Sequence, residues 1–131
     1  MKPLSLCILP LLAALSMGLC PQPADLKDDL GNKLCARAYA DSSVYYDKCC
    51  GGDYLDINAG DDVPYVPLKW FNRISSLVVG TRCELTVWSK IPKDGVTKKF
   101  SSGVQPRLAE VKKGLFGDWD NSISSYYCKC N

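Results

Sequence analysis

Trp70-Phe71-Asn72-Arg73-Ile74-Ser75-Ser76 decides the fold, because it returns as Trp119-Asp120-Asn121-Ser122-Ile123-Ser124-Ser125. Five of the seven positions are identical, in the pattern W-x-N-x-I-S-S, at an offset of 49. Outward from these copies, Cys35 and Cys83 lie 48 apart, and each opens a strand-like run ending in an aromatic, Cys35 to Tyr39 and Cys83 to Trp88. The chain from Cys35 to Cys130 therefore reads as two copies of one unit. Two copies are too few for a solenoid, whose units bury their faces by stacking in series. A sheet unit closing on its twin is the better account.

The unit is β. Cys83-Glu84-Leu85-Thr86-Val87-Trp88 alternates polar with apolar, and Ser75-Ser76-Leu77-Val78-Val79 is rich in β-branched residues. Turn residues fall between such runs at Gly51-Gly52, Asn58-Ala59-Gly60, Lys93-Asp94-Gly95 and Ser102-Gly103. Pro106 to Phe116 alone reads as helical, with Leu108, Val111 and Leu115 on one side and Lys112-Lys113 on the other.

The chain opens with Met1-Lys2-Pro3 and an apolar run from Leu4 to Leu15, too short to span a bilayer, which takes about 20 residues. Ser16 and Gly18 sit at signal-peptidase spacing, so residues 1–18 are expected to be a signal peptide cleaved before Leu19. Residues 19–34 then form an N-terminal segment, and residues 35–131 one β domain of two repeats, 35–82 and 83–131. Of eight cysteines the mature chain keeps seven: Cys20, Cys35, Cys49, Cys50, Cys83, Cys128 and Cys130. All seven are disulfide candidates for a secreted chain, and the odd count leaves one thiol over. Adjacent Cys49 and Cys50 point to opposite sides if extended, which favours two different partners; Cys128 and Cys130 share one face of a strand. With no histidine and no C-x-x-C, a zinc site would have to be all-cysteine at unusual spacings.

Charge is segregated. Leu19 to Pro67 carries nine aspartates and four basic residues, whereas Leu68 to Asn131 carries eleven basic and five acidic residues. Such a two-signed surface suits head-to-tail self-association or contact with anionic lipid, and also an ordinary solvated surface. Catalysis is not expected: the commonest general base is missing, and Asp28-Asp29 and Asp61-Asp62 sit among turn residues. Lys90, Lys93, Lys98 and Lys99 are the only hint of nucleic-acid binding, and the secretory route argues against it.

On the W-x-N-x-I-S-S repeat the chain resembles βγ-crystallin domains. These are sandwiches of two Greek-key motifs whose signature is two Asn/Asp, two variable residues, Ser/Thr and Ser. Asp120 to Ser125 fits this signature in full, and in the first copy Phe71 replaces the leading acidic or amide residue. The fold class expected is thus all-β, a disulfide-bridged βγ-crystallin-like sandwich of two Greek-key motifs. The resemblance implies Ca²⁺, with Asp120, Asn121, Ser124, Asn72 and Ser75 as candidate ligands. Because Phe71 cannot ligate a hard cation, one weak site is the most to expect. The same Asn and Ser side chains also suit tying down the sandwich corner, which is the reading we favour.

Tyr45-Tyr46, Cys49-Cys50-Gly51-Gly52, Arg82-Cys83-Glu84-Leu85-Thr86-Val87-Trp88-Ser89, Gly117-Asp118-Trp119 and Cys128-Lys129-Cys130 occur in one order along the mature chain. Together they make it similar to the syncollin family. The resemblance implies a non-enzymatic protein of the zymogen-granule lumen, peripheral on the luminal membrane face and secreted. It further implies homo-oligomers, membrane permeabilisation and a role in granule fusion and exocytosis. Syntaxin, a partner described for the family, is cytosolic and cannot meet a luminal protein across an intact membrane. Arg107 to Phe116 is the candidate lipid contact, through Leu108, Val111, Lys112, Lys113 and Leu115, although the reading we favour for Leu108, Val111 and Leu115 is the core of the second motif. The alternatives are a secreted antimicrobial or toxin-like membrane binder, and a soluble crystallin-like luminal protein.

Overall fold

The computed structural model describes residues 20–131, so the expected signal peptide lies outside the described residues. Six strands follow in order: β1 (Ala36–Asp41), β2 (Gly51–Ile57), β3 (Asp62–Val63), β4 (Ser76–Lys90), β5 (Asp94–Gln105) and β6 (Ser125–Cys130). All pairings between them are antiparallel. The long strands β4 and β5 organise the rest. The first part of β4 pairs with β1, which pairs with β2; the later part pairs with β6, which pairs with β3. β5 accompanies β4 throughout, and their register breaks between Val79 and Glu84, where Arg82 takes φ 63°. This break lets the sheet curl over on itself. The expected boundary between repeats, 82/83, falls at the same bend.

The two halves are related by the offset read in the sequence. Tyr39 pairs with Ser76, and Trp88 with Ser125. The Ser75 amide donates to the Tyr39 carbonyl and the Ser124 amide to the Trp88 carbonyl, both at 2.9 Å. The Ser76 hydroxyl donates to the Asp41 carbonyl at 2.7 Å, and the Ser125 hydroxyl to the Lys90 carbonyl at 3.2 Å. Every one of these partners is displaced by 49 residues, so the repeat is one of register as well as of letters.

Closing the halves on one another buries Ala36, Ala38 and Leu77 of one with Leu85, Val87 and Tyr126 of the other, and Trp70, Ile74, Trp119 and Ile123 of the two repeats join the same core. A second, smaller cluster holds the N-terminal segment: Leu26 and Leu34 cover Tyr39, Cys50 and Val78. Burial pushes the Tyr126 phenol up to about 12, with Asp61 adding a smaller push. Its folded value then exceeds the ordinary value of about 10, so the unfolded chain loses this proton first as pH rises. Stability is expected to be flat in this group below pH 10 and to fall through the window from 10 to 12. The loss should be on the order of 2 kcal/mol, and Tyr126→Phe should flatten it in urea titrations taken across that range.

Among the described residues three disulfides pin the sandwich, Cys20–Cys50, Cys35–Cys128 and Cys83–Cys130, with Cys49 left as a buried thiol. The expectation that Cys49 and Cys50 would both bridge rested on an extended backbone. Cys50 instead has φ 58°, which turns the chain so that one sulfur meets Cys20 and its neighbour points into protein. Two expected turns are also strand. Gly51-Gly52 opens β2, and Ser102-Gly103 lies within β5 where that strand follows the bend of β4.

Candidate functional site

Asn72 and Asn121 have φ 58° and 56°, in the left-handed region that asparagine tolerates better than most residues. The Asn121 amide donates to the Ile74 carbonyl at 2.9 Å, and its Oδ1 accepts from the Ser75 hydroxyl at 3.3 Å. The second corner is thus bonded to the first. The Ser122 and Ser124 hydroxyls donate to the Asp120 and Ser89 carbonyls. Four of the five candidate calcium residues therefore have structural work: Asn72 in its turn, and Asn121, Ser75 and Ser124 in corner hydrogen bonds.

Asp120 is different. Its amide donates to Asp118, but its Oδ1 is buried without a hydrogen-bond partner. A hard cation needs six to eight oxygens, whereas the Ser75, Ser122 and Ser124 hydroxyls and the Asn121 Oδ1 are already hydrogen-bonded within the protein. The Lys113 ammonium stands nearby, donating to the Ser122 hydroxyl at 3.2 Å. Among the described residues, the group of three close metal-ligating side chains consists of cysteine sulfurs, not carboxylates. A tight calcium site does not fit this corner. With a Kd of about 1 mM or weaker, 1 mM Ca²⁺ is expected to add at most about 0.4 kcal/mol of stability. Asp120→Asn should abolish even that, as read from thermal melts with and without the ion.

The segment expected to be helical is not one. Leu108–Glu110 forms a single 3₁₀ turn, after which the chain runs into a hairpin-like loop. The Trp119 amide donates to the Val111 carbonyl at 3.0 Å and the Lys113 amide to the Gly117 carbonyl at 3.1 Å, with Lys112 bridging Asp118. Gly114 and Gly117 take φ 62° and 79°, conformations that β-carbon-bearing residues rarely adopt. This geometry separates the apolar residues that helical spacing had put on one face. Leu108 is 0% exposed in the core and Val111 packs against it, whereas Leu115 and Phe116 are 93% and 84% exposed at the tip.

The tip stands on a fixed base. Trp119 is fully buried below it, and a β-carbon at Gly114 would lie 3.6 Å from Val96, so the loop rests against β5. Val96 is itself partly exposed, and Lys98 follows two positions along the same strand face. The result is an adjacent Leu-Phe pair on a narrow projection, with Lys112 and Lys113 at its root and Lys98 beside it. Phe116 was missed in the sequence reading. The signal for it was the Gly114–Gly117 bracket, which places the two residues between as a turn tip.

Across the molecule, Tyr46 binds both oxygens of Glu110, and Arg107 pairs with the same carboxylate at 2.7 Å. The Tyr46 hydrogen bond, followed by Arg107, holds the Glu110 carboxyl below its usual range. This anchors the 42–50 loop to the turn that precedes the tip.

A curled antiparallel sheet built from two register-related corners defines a βγ-crystallin-type double Greek key stapled by disulfides. Solved structures agree at the level of fold. An archaeal βγ-crystallin matches with TM-score 0.53 and 22% identity over 70% of this chain and 93% of its own. The βγ-crystallin domain of the abundant perithecial protein from Neurospora crassa, solved in its Ca²⁺-bound form, matches with TM-score 0.56 and 13% identity over 86% and 94%. Full-length similarity narrows the class. The profile of the syncollin family matches residues 19–130. Rattus norvegicus syncollin is 54% identical over 95% of this chain and 97% of its own, and Homo sapiens syncollin 50% identical over 93% and 96%. The chain belongs to the syncollin family, a non-enzymatic family.

Proposed function

We propose that this is a secretory-granule protein that sits peripherally on the luminal face of the granule membrane, self-associates there, and modulates granule fusion and exocytosis, in part by permeabilising the bilayer. Family membership supports the granule setting. The observation that carries the membrane part is the Leu115-Phe116 tip with Lys112 and Lys113 at its root. Singly exposed apolar residues are ordinary on protein surfaces, but an adjacent, projecting Leu-Phe pair ringed by lysines matches an anionic headgroup layer over acyl chains.

One tip is a marginal anchor, and several copies add their affinities. The charge pattern supports self-association: β2, an outer strand, carries Asp53 and Asp56, while β5 carries Lys98 and Lys99. Head-to-tail contact between such surfaces is heterologous and closes into a ring when the rotation suits. Calcium enters this reading only as a weak ligand of Asp120. Flotation of the mature protein with vesicles containing phosphatidylserine, against vesicles of phosphatidylcholine alone, tests it. Binding of oligomers to the anionic vesicles with release of trapped dye is expected. No flotation on either would leave a soluble luminal protein, and preference for bacterial-type lipid with no anionic host-type binding would favour the antimicrobial reading.

A further inference from the structure

We infer that the Cys83–Cys130 disulfide is a thiol-exchange site for small carboxylate-bearing thiols, and that exchange there is relayed inward to Cys35–Cys128. This reading is independent of the membrane tip. Cys83 and Cys130 are direct register partners in β4 and β6. The sulfurs of Cys35, Cys83 and Cys130 all lie within 4.8 Å of one another. Since Cys35 is bonded to Cys128, two disulfides lie side by side: an inner one fully buried, and an outer one whose Cys130 is partly exposed and whose Cys83, only 5% exposed, is reached through the cavity it lines. The outer bond opens on a polar cavity of about 280 Å³ lined by Arg82, Cys83, Glu84, Ser101, Lys129 and Asn131. Glu84 is within 3.9 Å of Lys129, whereas Arg82, exposed at the β4 bend, has no ion-pair partner among the described residues. Its free guanidinium is the group that would hold a carboxylate beside Cys83. Beside Cys20–Cys50 the neighbouring charge is instead a carboxylate, Asp41, which is packed against Gly52 two residues along.

The chemistry closes without an external oxidant. A thiolate attacks Cys83 Sγ, forming a mixed disulfide and leaving the electron pair of the broken bond on Cys130 Sγ. That thiolate lies within 4.8 Å of Cys35 Sγ. Its attack forms Cys35–Cys130 and breaks Cys35–Cys128. Cys128 takes the electron pair and the proton given up by the incoming thiol. Two disulfides and one thiol enter, and two disulfides and one thiol leave.

Incubation of the intact protein with reduced glutathione, followed by acid quench, alkylation and peptide mass mapping, tests this. The expected first product carries glutathione on Cys83, a Cys35–Cys130 bond and an alkyl group on Cys128, with Cys20–Cys50 intact. First adducts on Cys20 or Cys50, or all three bonds opening together, would overturn the site. Glutathione on Cys83 with the alkyl group on Cys130 would overturn the relay. Arg82→Gln should slow the glutathione reaction about two- to fivefold while leaving the rate with cationic cysteamine unchanged. Equal slowing of both reagents would remove the role given to Arg82.

Discussion

Replacing Cys35 and Cys128 together by alanine is expected to cost the domain about 4–5 kcal/mol, enough to leave much of it unfolded at body temperature. The bond joins residues 93 apart; with Cys83–Cys130 still in place, its loss opens a loop of about 50 residues in the unfolded state, the 48 from Cys35 to Cys83 plus the two from Cys128 to Cys130. Chain-entropy reasoning gives about 4 kcal/mol for a loop of that order. Net stability of a domain this size lies in the range of about 5–15 kcal/mol, so the change is a large share of it. Both cysteines are fully buried in the main core, so truncation to alanine adds a packing loss of the same sign. Guanidinium unfolding should show a midpoint lowered by about 1–2 M. A midpoint within a few tenths of molar of the parent would mean that the halves hold together without the bridge.

The comparison with Cys20–Cys50 makes the test specific. That bond spans 30 residues and ties the N-terminal segment over Tyr39 and Val78, outside the main core. Removing it should cost about 0.5 kcal/mol less in chain entropy and spare the main core its packing loss, and the damage should concentrate in residues 20–34. Hydrogen exchange separates the two cases. Amides of β1 and β6 should lose protection in the first double variant and keep most of it in the second.

The offset of 49 shows how much of this architecture was legible in the sequence. A repeated W-x-N-x-I-S-S fixes more than similarity, because the Ser, Asn and Trp each have a geometric task. Serine hydroxyls bind carbonyls on the neighbouring strand, asparagines accept a left-handed backbone, and tryptophans fill the shared core. Register followed from letters. The 106–116 segment misled for a definable reason: Leu108, Val111 and Leu115 have helical spacing, and spacing alone does not register that Gly114 and Gly117 are free to turn the chain back. Cys49 and Cys50 failed on the same ground, a local φ at Cys50 that no periodicity carries. The side-by-side disulfides were also out of reach, since pairing depends on which strands become neighbours after the sheet curls.

The apolar tip gives the second large effect. Leu115→Ser with Phe116→Ser is expected to weaken binding to phosphatidylserine vesicles roughly a hundredfold while leaving thermal stability almost unchanged. Two side chains that move from water into acyl chains contribute about 1.5–3 kcal/mol each when fully buried, and partial insertion of both leaves about 3 kcal/mol. Neither touches the core, as their exposure of 93% and 84% requires, so folding has little to lose. Leu108→Ala should do the reverse: it empties a fully buried site and should cost about 2–5 kcal/mol of stability, with lipid binding following only as the protein unfolds. Lys112→Gln with Lys113→Gln should weaken binding by about 1 kcal/mol per lysine, and that loss should shrink as salt is raised, whereas the loss from the apolar pair should not. The salt response thus separates headgroup attraction from insertion. If the Leu115/Phe116 variant floats as well as the parent, lipid contact lies elsewhere, and the exposed pair would have to be covered by protein in the assembled state.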